Sequence, residues 1–232
     1  MKPICLIAAR GGSKGVKNKN TRMIAGKPLI AHTIEKAINS KIFQHVIVSS
    51  EDSKIISIAK KFGADVPFVR PKKLSTDSAN MNSVLLHAIN QLDSKGYKFD
   101  ILVNRDCTVP FILNKDILGS VRLLKQKKCY AVFGAYKQHH NPYFNMMEIN
   151  PKGFLEFSKK LKSRVLTRQS APTVYQLNGL FTMDVKKFLK YETLIMPKIL
   201  PYEIQNETGW MIDTEFEFKI AEMMFKMKYH SN

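Results

Sequence analysis

Short apolar runs alternate with helix-like segments through the first 135 residues, and this alternation constrains the fold more than any other feature of the sequence. Strand-like runs occupy Ile4–Ala9, His45–Ser49, Val66–Val69, Ile101–Asn104 and Ala131–Ala135. Between them, apolar residues recur at helical spacing in Leu29–Asn39, Ser53–Lys61, Ser83–Leu92 and Lys115–Leu124. Strands that alternate with helices form a mostly parallel sheet with helices on both faces, so we predict an α/β fold. Ligands of such sheets bind beyond the carboxyl ends of the strands.

The pattern changes after Ala135. Residues 136–176 are rich in His, Asn, Pro, Lys and Arg, with short alternating pieces at Phe144–Ile149 and Phe154–Phe157. We therefore predict a β-rich insertion, 136–176, between two parts of one domain, 1–135 and 177–232.

Strand and helix patterns return in the last part of the chain. They cover Gly179–Met183, Val185–Leu189 and Thr193–Ile199, and then a final helix from about Thr214 to Lys228. Asp213, Thr214 and Glu215 supply a capping, acidic start for that helix. An apolar stripe along it is expected to form core or interface packing, and it consists of Phe216, Ile220, Met223, Met224 and Met227.

Length and composition indicate a globular protein. The 232 residues suffice for one large domain with an insertion, and no apolar run approaches the roughly 18–20 residues that cross a bilayer. The apolar run after Met1 is too short for an export signal. Three scattered cysteines, Cys5, Cys107 and Cys129, lack metal-ligand spacing and do not indicate a disulfide framework. We expect a cytoplasmic protein with reduced thiols and no membrane partner.

The formal charge of +18 favours an anionic ligand or partner. The lysines are spread along the chain, and the sequence lacks the spacing typical of RNA-recognition, helix-turn-helix or zinc-finger modules. We therefore do not expect nucleic acid to be the physiological partner. A lysine-rich coding bias is the simpler explanation of the charge.

The loop after the first apolar run concentrates features that bind phosphate. Arg10 is followed by Gly11, Gly12, Ser13, Lys14 and Gly15, and then by Lys17, Lys19 and Asn20. Glycines let backbone amides turn towards an anion, and the cations surround the same space. The spacing matches neither the Walker loop nor the dinucleotide fingerprint. We predict a polyphosphate cradle, the alternative being a basic surface loop.

This run, A-A-R-G-G-S-K-G-x-x-x-K-N, resembles the signature of the acylneuraminate cytidylyltransferases (the CMP-sialic acid synthetase type), within the nucleotide-sugar nucleotidyltransferases. Further segments follow in the family's order. The second is V-R-P-K-K-L-S-T-D-S-A at 69–79, the third is residues 102–112, the fourth is R-Q-S-A-P-T-V-Y-Q-L-N-G at 168–179, and the last is M-I-D-T-E at 211–215. The resemblance implies a Rossmann-like sheet and a homodimer formed through the insertion. It also implies Mg²⁺-dependent reaction of CTP with an acidic 3-deoxy-2-ulosonic sugar of the nonulosonic (sialic) type, giving the CMP-sugar and pyrophosphate.

Other functions remain open alongside this one. The same scaffold serves related nucleotidyltransferases, so a Kdo-type or other sugar, or another nucleotide, is one alternative. A non-catalytic basic relative that binds nucleic acid is the other.

By resemblance, the nucleotide-binding residues come from the first two segments. They are Ala9, Arg10, Gly11, Gly12, Ser13, Lys14, Lys19 and Asn20 around the phosphates, and Arg70, Asp77, Ala79 and Ser83 around the cytidine. Arg10 and Lys19 are expected to act in catalysis. Capping of the following helix would by itself account for Asp77. A serine of several relatives is replaced here by Met81, two residues before Ser83.

The acidic sugar is expected to contact Thr108 and the fourth segment, through Arg168, Gln169, Tyr175 and Asn178. A planar guanidinium suits a carboxylate, so Arg168 is the candidate for the 1-carboxylate of the sugar. A lysine that relatives carry in the insertion corresponds to Asn145.

The candidate metal ligands depart from the family pattern. Relatives read L-L-Q-P-T-S-P-L-R where this chain has residues 104–112, and aligning the prolines puts Asp106 at the glutamine and Ile112 at the arginine. Relatives also read D-I-D-T-E, and here the first aspartate is Met211. Because Mg²⁺ prefers one or two carboxylates plus phosphate oxygens, we expect Asp213 and Asp106 to hold the metal, Asp213 also being catalytic and Asp106 also facing the sugar. An ion pair between Asp106 and Arg105 is the structural alternative.

Overall fold

A six-stranded sheet forms the centre of the computed structural model, which describes residues 2–227. Its strands lie in the order β4 (His45–Ser49), β1 (Ile4–Ala8), β5 (Ile101–Arg105), β9 (Tyr175–Asp184), β6 (Ala131–Lys137) and β10 (Ile199–Glu203). β1 pairs in parallel with β4 and β5, and β10 pairs in parallel with β6. β9 alone runs antiparallel to its neighbours β5 and β6. The predicted mostly parallel α/β sheet is confirmed.

Helices cover both faces of this sheet. Apolar side chains of the central strands point to both faces, and each face therefore needs a covering layer. They are α1 (Leu29–Asn39), α2 (Ser53–Lys61), α3 (Met81–Ser94), α4 (Asn114–Lys127), α5 (Val185–Tyr191) and α6 (Glu215–Lys226). In β1, Ile4 and Leu6 pack in one core cluster with α3, whereas Cys5 and Ile7 pack in another with α1 and α2. None of the helices described is long and apolar enough to cross a membrane.

The antiparallel direction of β9 follows from how the chain leaves and re-enters the sheet. The last residue of β6, Lys137, pairs with the first residue of β9, Tyr175. β6 and β9 therefore form a long hairpin whose loop begins at the carboxyl end of β6. Within that loop, β7 (Met147–Ile149) and β8 (Leu155–Phe157) form a small hairpin of their own. A second two-stranded ribbon, β2 (Met23–Ile24) with β3 (Lys27–Pro28), precedes α1.

The insertion leaves several large apolar side chains in contact with solvent. Ile149, Phe154 and Leu155 on the small hairpin are 74%, 69% and 64% exposed, and Leu166 is 76% exposed. Several large apolar side chains exposed within one short stretch of chain are a candidate interaction surface.

Some predicted elements differ in the structure. Val66–Val69 is not a strand: only Asp65 bridges to Ile47 at the edge of the sheet, because Pro67 has no amide hydrogen to continue the ladder. The last strand begins at Ile199 instead of ending there. Lys228, the expected end of the final helix, lies outside the described residues.

The packing face of α6 also differs from the predicted stripe. The helix buries Phe218, Ala221, Met224 and Phe225. Of the five predicted stripe residues, Met224 is buried and Ile220 packs against the core, whereas Phe216, Met223 and Met227 are exposed. The expected start is confirmed, since Thr214 caps the helix and forms a capping box with Glu217.

The cap of α3 is Asn80 and not Asp77. The helix begins at Met81, and the Asn80 side chain accepts a hydrogen bond from the Asn82 amide at 2.9 Å. Residues 78 and 79 separate Asp77 from this cap, so the Asp77 carboxylate does not cap α3.

Replacement of Asn80 by alanine therefore tests the cap directly. An N-cap loss costs about 1 kcal/mol, which lowers the melting temperature of a chain this size by about 2–4 °C. Thermal unfolding followed by circular dichroism measures it, with Asp77→Ala as the matched variant. A larger effect for Asp77→Ala than for Asn80→Ala would contradict this assignment.

Candidate active site

A cleft of about 490 Å³ opens at the carboxyl ends of β1 and β5. Most of the predicted nucleotide and metal residues line it: Arg10, Ser13, Lys14, Lys19, Asn20, Arg70, Asp77, Ala79, Asp106, Thr108 and Asp213. Residues from four separate segments thus converge on one site, as the topology of the sheet predicts. Met81 and Met211, the positions at which the sequence is expected to depart from the family's motifs, line the same cleft.

The start of the loop that follows β1 is held by a side chain from the end of the same loop and by one from the second segment. The Asn20 side chain is buried and donates to the Arg10 carbonyl at 3.0 Å. Arg70, only 4% exposed, donates through Nη2 to the Ala9 carbonyl at 2.8 Å. Two residues expected to bind nucleotide are therefore engaged with the loop backbone in this structure.

Gly11 and Gly15 are required by close approaches of other residues. A Cβ at Gly11 would lie 2.4 Å from Oδ2 of Asp52, and the Gly11 amide donates to Oε1 of Glu51 at 2.9 Å. A Cβ at Gly15 would lie 1.9 Å from the Asp213 carbonyl oxygen. Gly12 has no such neighbour. The Gly11 amide is thus already occupied, and Gly15 brings the loop against the last segment.

The cations of the loop are paired with carboxylates. Arg10 Nη2 lies 2.6 Å from Asp77 Oδ1, and Lys14 Nζ lies 2.7 Å from Asp77 Oδ2. Hydrogen bonds from Lys14 and Arg10 lower the pKa of the Asp77 carboxyl below its ordinary value. The Asp77 carboxylate thus bridges two cationic side chains that are expected to bind phosphate.

Lys19 is paired at the other side of the cleft. Its Nζ lies 2.9 Å from Asp213 Oδ1 and donates to the Ile212 carbonyl at 2.6 Å. The lysine side chain is only 11% exposed, whereas that of Asp213 is 57% exposed. Asp213 can therefore turn towards a ligand while Lys19 stays held by the Ile212 carbonyl.

Asp106 lies near Asp213 at the end of β5. Burial, together with the Asp213 charge, raises the pKa of Asp106 to about 6, against opposing effects from the Asn104 hydrogen bond and the Arg105 charge. The Asp106 amide donates to the Gly179 carbonyl at 3.0 Å. Gly179 adopts φ 74°, and a Cβ there would lie 2.7 Å from Asp106 Oδ2. The asparagine–glycine pair of the fourth segment therefore shapes the backbone around this carboxylate.

The structural alternative for Asp106 finds no support in the geometry. No ion pair joins Arg105 to Asp106 among residues 2–227; Arg105 Nη2 instead donates to the Val109 carbonyl at 3.4 Å. The guanidinium is fully buried, and burial lowers its pKa. Its Nε and Nη1 have no hydrogen-bond partner among the described residues.

The two aspartates fit a magnesium ion that also binds phosphate. Within the described part of the chain, no group of three or more His, Cys, Asp or Glu side chains is arranged to hold a metal. Mg²⁺ commonly takes one or two carboxylates and completes its coordination with phosphate oxygens and water. Asp106 and Asp213, beside the cation-rich loop, supply that donor set.

The predicted sugar-binding residues of the fourth segment do not line the cleft. Arg168 and Gln169 lie in a single exposed turn of the insertion, residues 168–170, and Tyr175 begins β9. Asn178 is fully buried, and its amide atoms have no hydrogen-bond partner among the described residues. It packs beside Gly134, where a Cβ would lie 2.5 Å from Asn178 Oδ1.

Two other predicted positions have local structural contacts. Ser83 lies on α3 and does not line the cleft, where Met81 stands instead. Asn145 accepts from the Asn141 amide and donates to the His139 carbonyl, so it stabilises a turn of the insertion.

Glu51 is the residue near the site that the sequence analysis missed. It contacts both Gly11 and Arg70. Its position directly after β4, at the carboxyl edge of the sheet, was the available signal.

Comparison with known proteins agrees with this fold and shows the family of the chain. A profile described as cytidylyltransferase matches residues 4–224, so the chain belongs to this family of nucleotidyltransferases. It is 33% identical to the CMP-N,N'-diacetyllegionaminic acid synthase of Campylobacter jejuni over 97% of this chain and 95% of that protein. It is 34% identical to the pseudaminic acid cytidylyltransferase of the same species, over 100% and 99% respectively. A solved CMP-2-keto-3-deoxy-manno-octonic acid synthetase complexed with CTP has the same fold, with TM-score 0.75 and 16% identity over 98% of this chain and 100% of that one.

The pairing of Asp77 with Arg10 and Lys14 predicts how a substitution of Asp77 changes the affinity for CTP. If Asp77 competes with phosphate for these cations, Asp77→Asn should tighten CTP binding about two- to fivefold at low salt, because exposed ion pairs are individually weak. Isothermal titration calorimetry without sugar measures it, and the gain should shrink as salt screens the pairs.

The same experiment separates the two roles of Asp77. Weaker CTP binding by Asp77→Asn would contradict the competition and favour direct contact with the nucleotide. Asp93→Asn is a matched control, since Asp93 pairs with Lys98 on an exposed surface away from the cleft.

Proposed function

We propose that this protein is a cytidylyltransferase that joins CTP to an acidic nonulosonic (sialic-type) sugar and releases pyrophosphate. The cleft that combines the cation-rich loop after β1 with Asp106 and Asp213 carries this proposal. Two relatives that match almost the full chain are named for legionaminic and pseudaminic acid, both at similar identity. The sugar class is therefore supported more strongly than any single sugar.

In the proposed reaction, Arg10, Lys14 and Lys19 bind the phosphates and stabilise their charge in the transition state. The anomeric hydroxyl oxygen of the sugar forms a bond to the α-phosphorus, and the bond from that phosphorus to the pyrophosphate oxygen breaks. Asp213 orients the hydroxyl and accepts its proton. Positioning and electrostatics supply most of the rate acceleration in reactions of this type.

Asp106 and Asp213 are the proposed Mg²⁺ ligands. When bound, the ion neutralises charge on the phosphates. For Asp213 this requires exchange from Lys19 to the metal, which the exposure of its carboxylate permits. Lys19 would then keep the Ile212 carbonyl and gain a phosphate oxygen.

The cytidine is proposed to lie along the second segment. Ala79 and Arg70 line the cleft there. The guanidinium uses Nε towards Ser75 and Nη2 towards Ala9 and Glu51. Ser83 lies on α3 two residues after Met81 and does not line the cleft. Its contact with the base stays a prediction.

Residues 136–176 are proposed to be a dimerisation arm that completes the sugar site, with residues 1–135 and 177–232 as the catalytic domain. The small hairpin of the arm exposes apolar side chains that a second copy would cover. Arg168, Gln169 and Tyr175 lie on or beside the arm and away from the cleft of their own chain. A homodimer would let them reach a sugar held in the neighbouring cleft.

The cytoplasm is the proposed location of the reaction. Cys5, Cys107 and Cys129 are all buried and free, as suits a reducing compartment.

A turnover assay tests the proposed reaction. Pyrophosphate release should require CTP, a nonulosonic acid and Mg²⁺, and should be negligible with ATP, GTP or UTP. Asp213→Asn and Asp106→Asn should each lower the rate by at least about a hundredfold, since each removes a carboxylate from the metal and the reacting atoms. Turnover only with another nucleotide, or salt-dependent RNA binding without CTP turnover, would contradict the proposal.

The raised pKa of Asp106 predicts how the metal requirement depends on pH. The carboxylate binds metal in its ionised form, and its pKa is about 6 in the free protein. The Mg²⁺ concentration for half-maximal rate should therefore rise as pH falls below about 6 and stay level above about 7. A metal requirement unchanged between pH 5 and pH 7 would argue against Asp106 as a ligand.

The proposed dimer is tested on the small hairpin. Ile149 pairs with Leu155 across β7 and β8, and both are exposed. Ile149→Asp should convert the dimer to monomer in analytical ultracentrifugation and weaken sugar binding while CTP binding stays. Ile195→Asp is the control, because Ile195 is 73% exposed outside the arm. A dimer that survives Ile149→Asp would place the interface elsewhere.

A further inference from the structure

Three successive residues of the phosphate loop are each held through a backbone group by a side chain, from Arg70 and Glu51 in other segments and from Asn20 at the end of the loop itself. The Ala9 carbonyl accepts from Arg70 at 2.8 Å, and the Arg10 carbonyl accepts from Asn20 at 3.0 Å. The Gly11 amide donates to Glu51 at 2.9 Å. The backbone that aims the loop side chains into the cleft is thus fixed before any ligand binds.

Glu51 joins two of these contacts. Its Oε1 accepts from the Gly11 amide and its Oε2 accepts from Arg70 Nη2, also at 2.9 Å. The same Arg70 nitrogen reaches the Ala9 carbonyl. One carboxylate and one guanidinium therefore bridge the two ends of the Ala9–Gly11 stretch.

The environment keeps this pair intact. The side chains of Arg70 and Glu51 are only 4% and 15% exposed, so water competes little for their hydrogen bonds. Burial acts to raise the pKa of Glu51, but hydrogen bonds from Gly11, Arg70 and Ser75 together hold it below its ordinary value. The Arg70 amide donates to the Ser50 carbonyl at 2.9 Å, which fixes the guanidinium beside the turn after β4.

A carboxylate beside an anion-binding loop would ordinarily oppose phosphate binding. Here its charge is neutralised by Arg70, and it faces the Gly11 amide and not the cleft, which it does not line. A glutamate at this position can accept two hydrogen bonds at once. One carboxylate oxygen accepts from the Gly11 amide and the other from the Arg70 guanidinium.

We infer that Glu51 is a positioning residue for the proposed nucleotidyl transfer, acting through Arg70 and Gly11 to hold the phosphate loop ready for the triphosphate. It does not line the cleft in which substrate and metal are proposed to bind. The expected effect on kinetics rests on the proposed function. The expected effect on the order of the loop does not depend on that function.

Glu51→Gln is the informative substitution. Glutamine keeps one acceptor for the Gly11 amide, but it presents an amide group to Arg70 and leaves the guanidinium without its charge partner. Displacement of a phosphate-binding loop by about 1 Å is enough to cost on the order of a hundredfold in rate. We expect kcat/KM for CTP to fall about ten- to hundredfold, while KM for the sugar changes less than about twofold, because the loop faces the nucleotide.

The Arg70 partner supplies a second measurement. If the two side chains act as a unit, the double variant Glu51→Gln with Arg70→Gln should be no worse in kcat/KM for CTP than the worse single variant. Additive losses would show that Arg70 and Glu51 act separately.

Limited proteolysis provides a readout that needs no enzymatic activity. Lys14 and Lys17 are exposed in the loop, and trypsin cleaves such sites faster when the backbone is mobile. In the absence of nucleotide, Glu51→Gln should speed cleavage in this loop by about tenfold. Glu35→Gln is the matched control, since it breaks an ion pair with Lys27 outside the cleft and should change neither cleavage nor CTP kinetics.

These measurements separate the inference from the proposed function. Unchanged loop cleavage and unchanged kcat/KM for CTP in Glu51→Gln would overturn the positioning role. Faster cleavage in a protein whose parent form does not turn over CTP would support the loop contact and overturn the proposed function instead. An equal increase in KM for CTP and for the sugar would indicate general disruption of the protein, and it would also overturn the positioning role.

Discussion

Compensation of charge around one loop is the constraint on which the rest of the site depends. The loop after β1 gathers Arg10, Lys14 and Lys19 at the end of a buried strand, where cations alone would repel one another. Asp77 and Asp213 pair with them in the free protein. Both carboxylates are exposed enough to exchange these cations for other partners. The free site is thus held together by interactions that a triphosphate and a metal ion can replace.

The topology of the sheet explains how the second half of the site is brought in. Because β9 returns antiparallel to β6, the whole insertion leaves from the carboxyl edge, on the side of the cleft. The same return places Gly179 against Asp106, where a side chain would not fit. One strand therefore shapes the surroundings of Asp106, the carboxylate proposed to bind metal, and connects it to the arm that is proposed to contact the sugar.

Much of this was predictable from sequence because it depends on periodicity and on turn chemistry. The parallel core strands and the helices on both faces follow from apolar runs that end in polar loops. The grouping of Arg10, Lys19, Asp106 and Asp213 was expected from the resemblance of their segments to the family's motifs. The cap at Asn80 and the packing face of α6 were not predictable, since neighbouring residues of similar type compete for each role. The predicted strand Val66–Val69 fails because Pro67 has no amide hydrogen for the ladder. The role of Glu51 was not predictable for another reason, although its position after β4 marked the residue. Its partners, Gly11 and Arg70, are distant in sequence, and only the folded chain brings them together.

The most direct test of the central claim is a crystal structure with CTP and Mg²⁺. The account predicts that phosphate oxygens replace Asp77 at Arg10 and Lys14, that Asp213 leaves Lys19 for the metal, and that the Glu51 contacts to Gly11 and Arg70 are unchanged. A triphosphate bound elsewhere, with Asp77 still paired to Arg10 and Lys14, would contradict it.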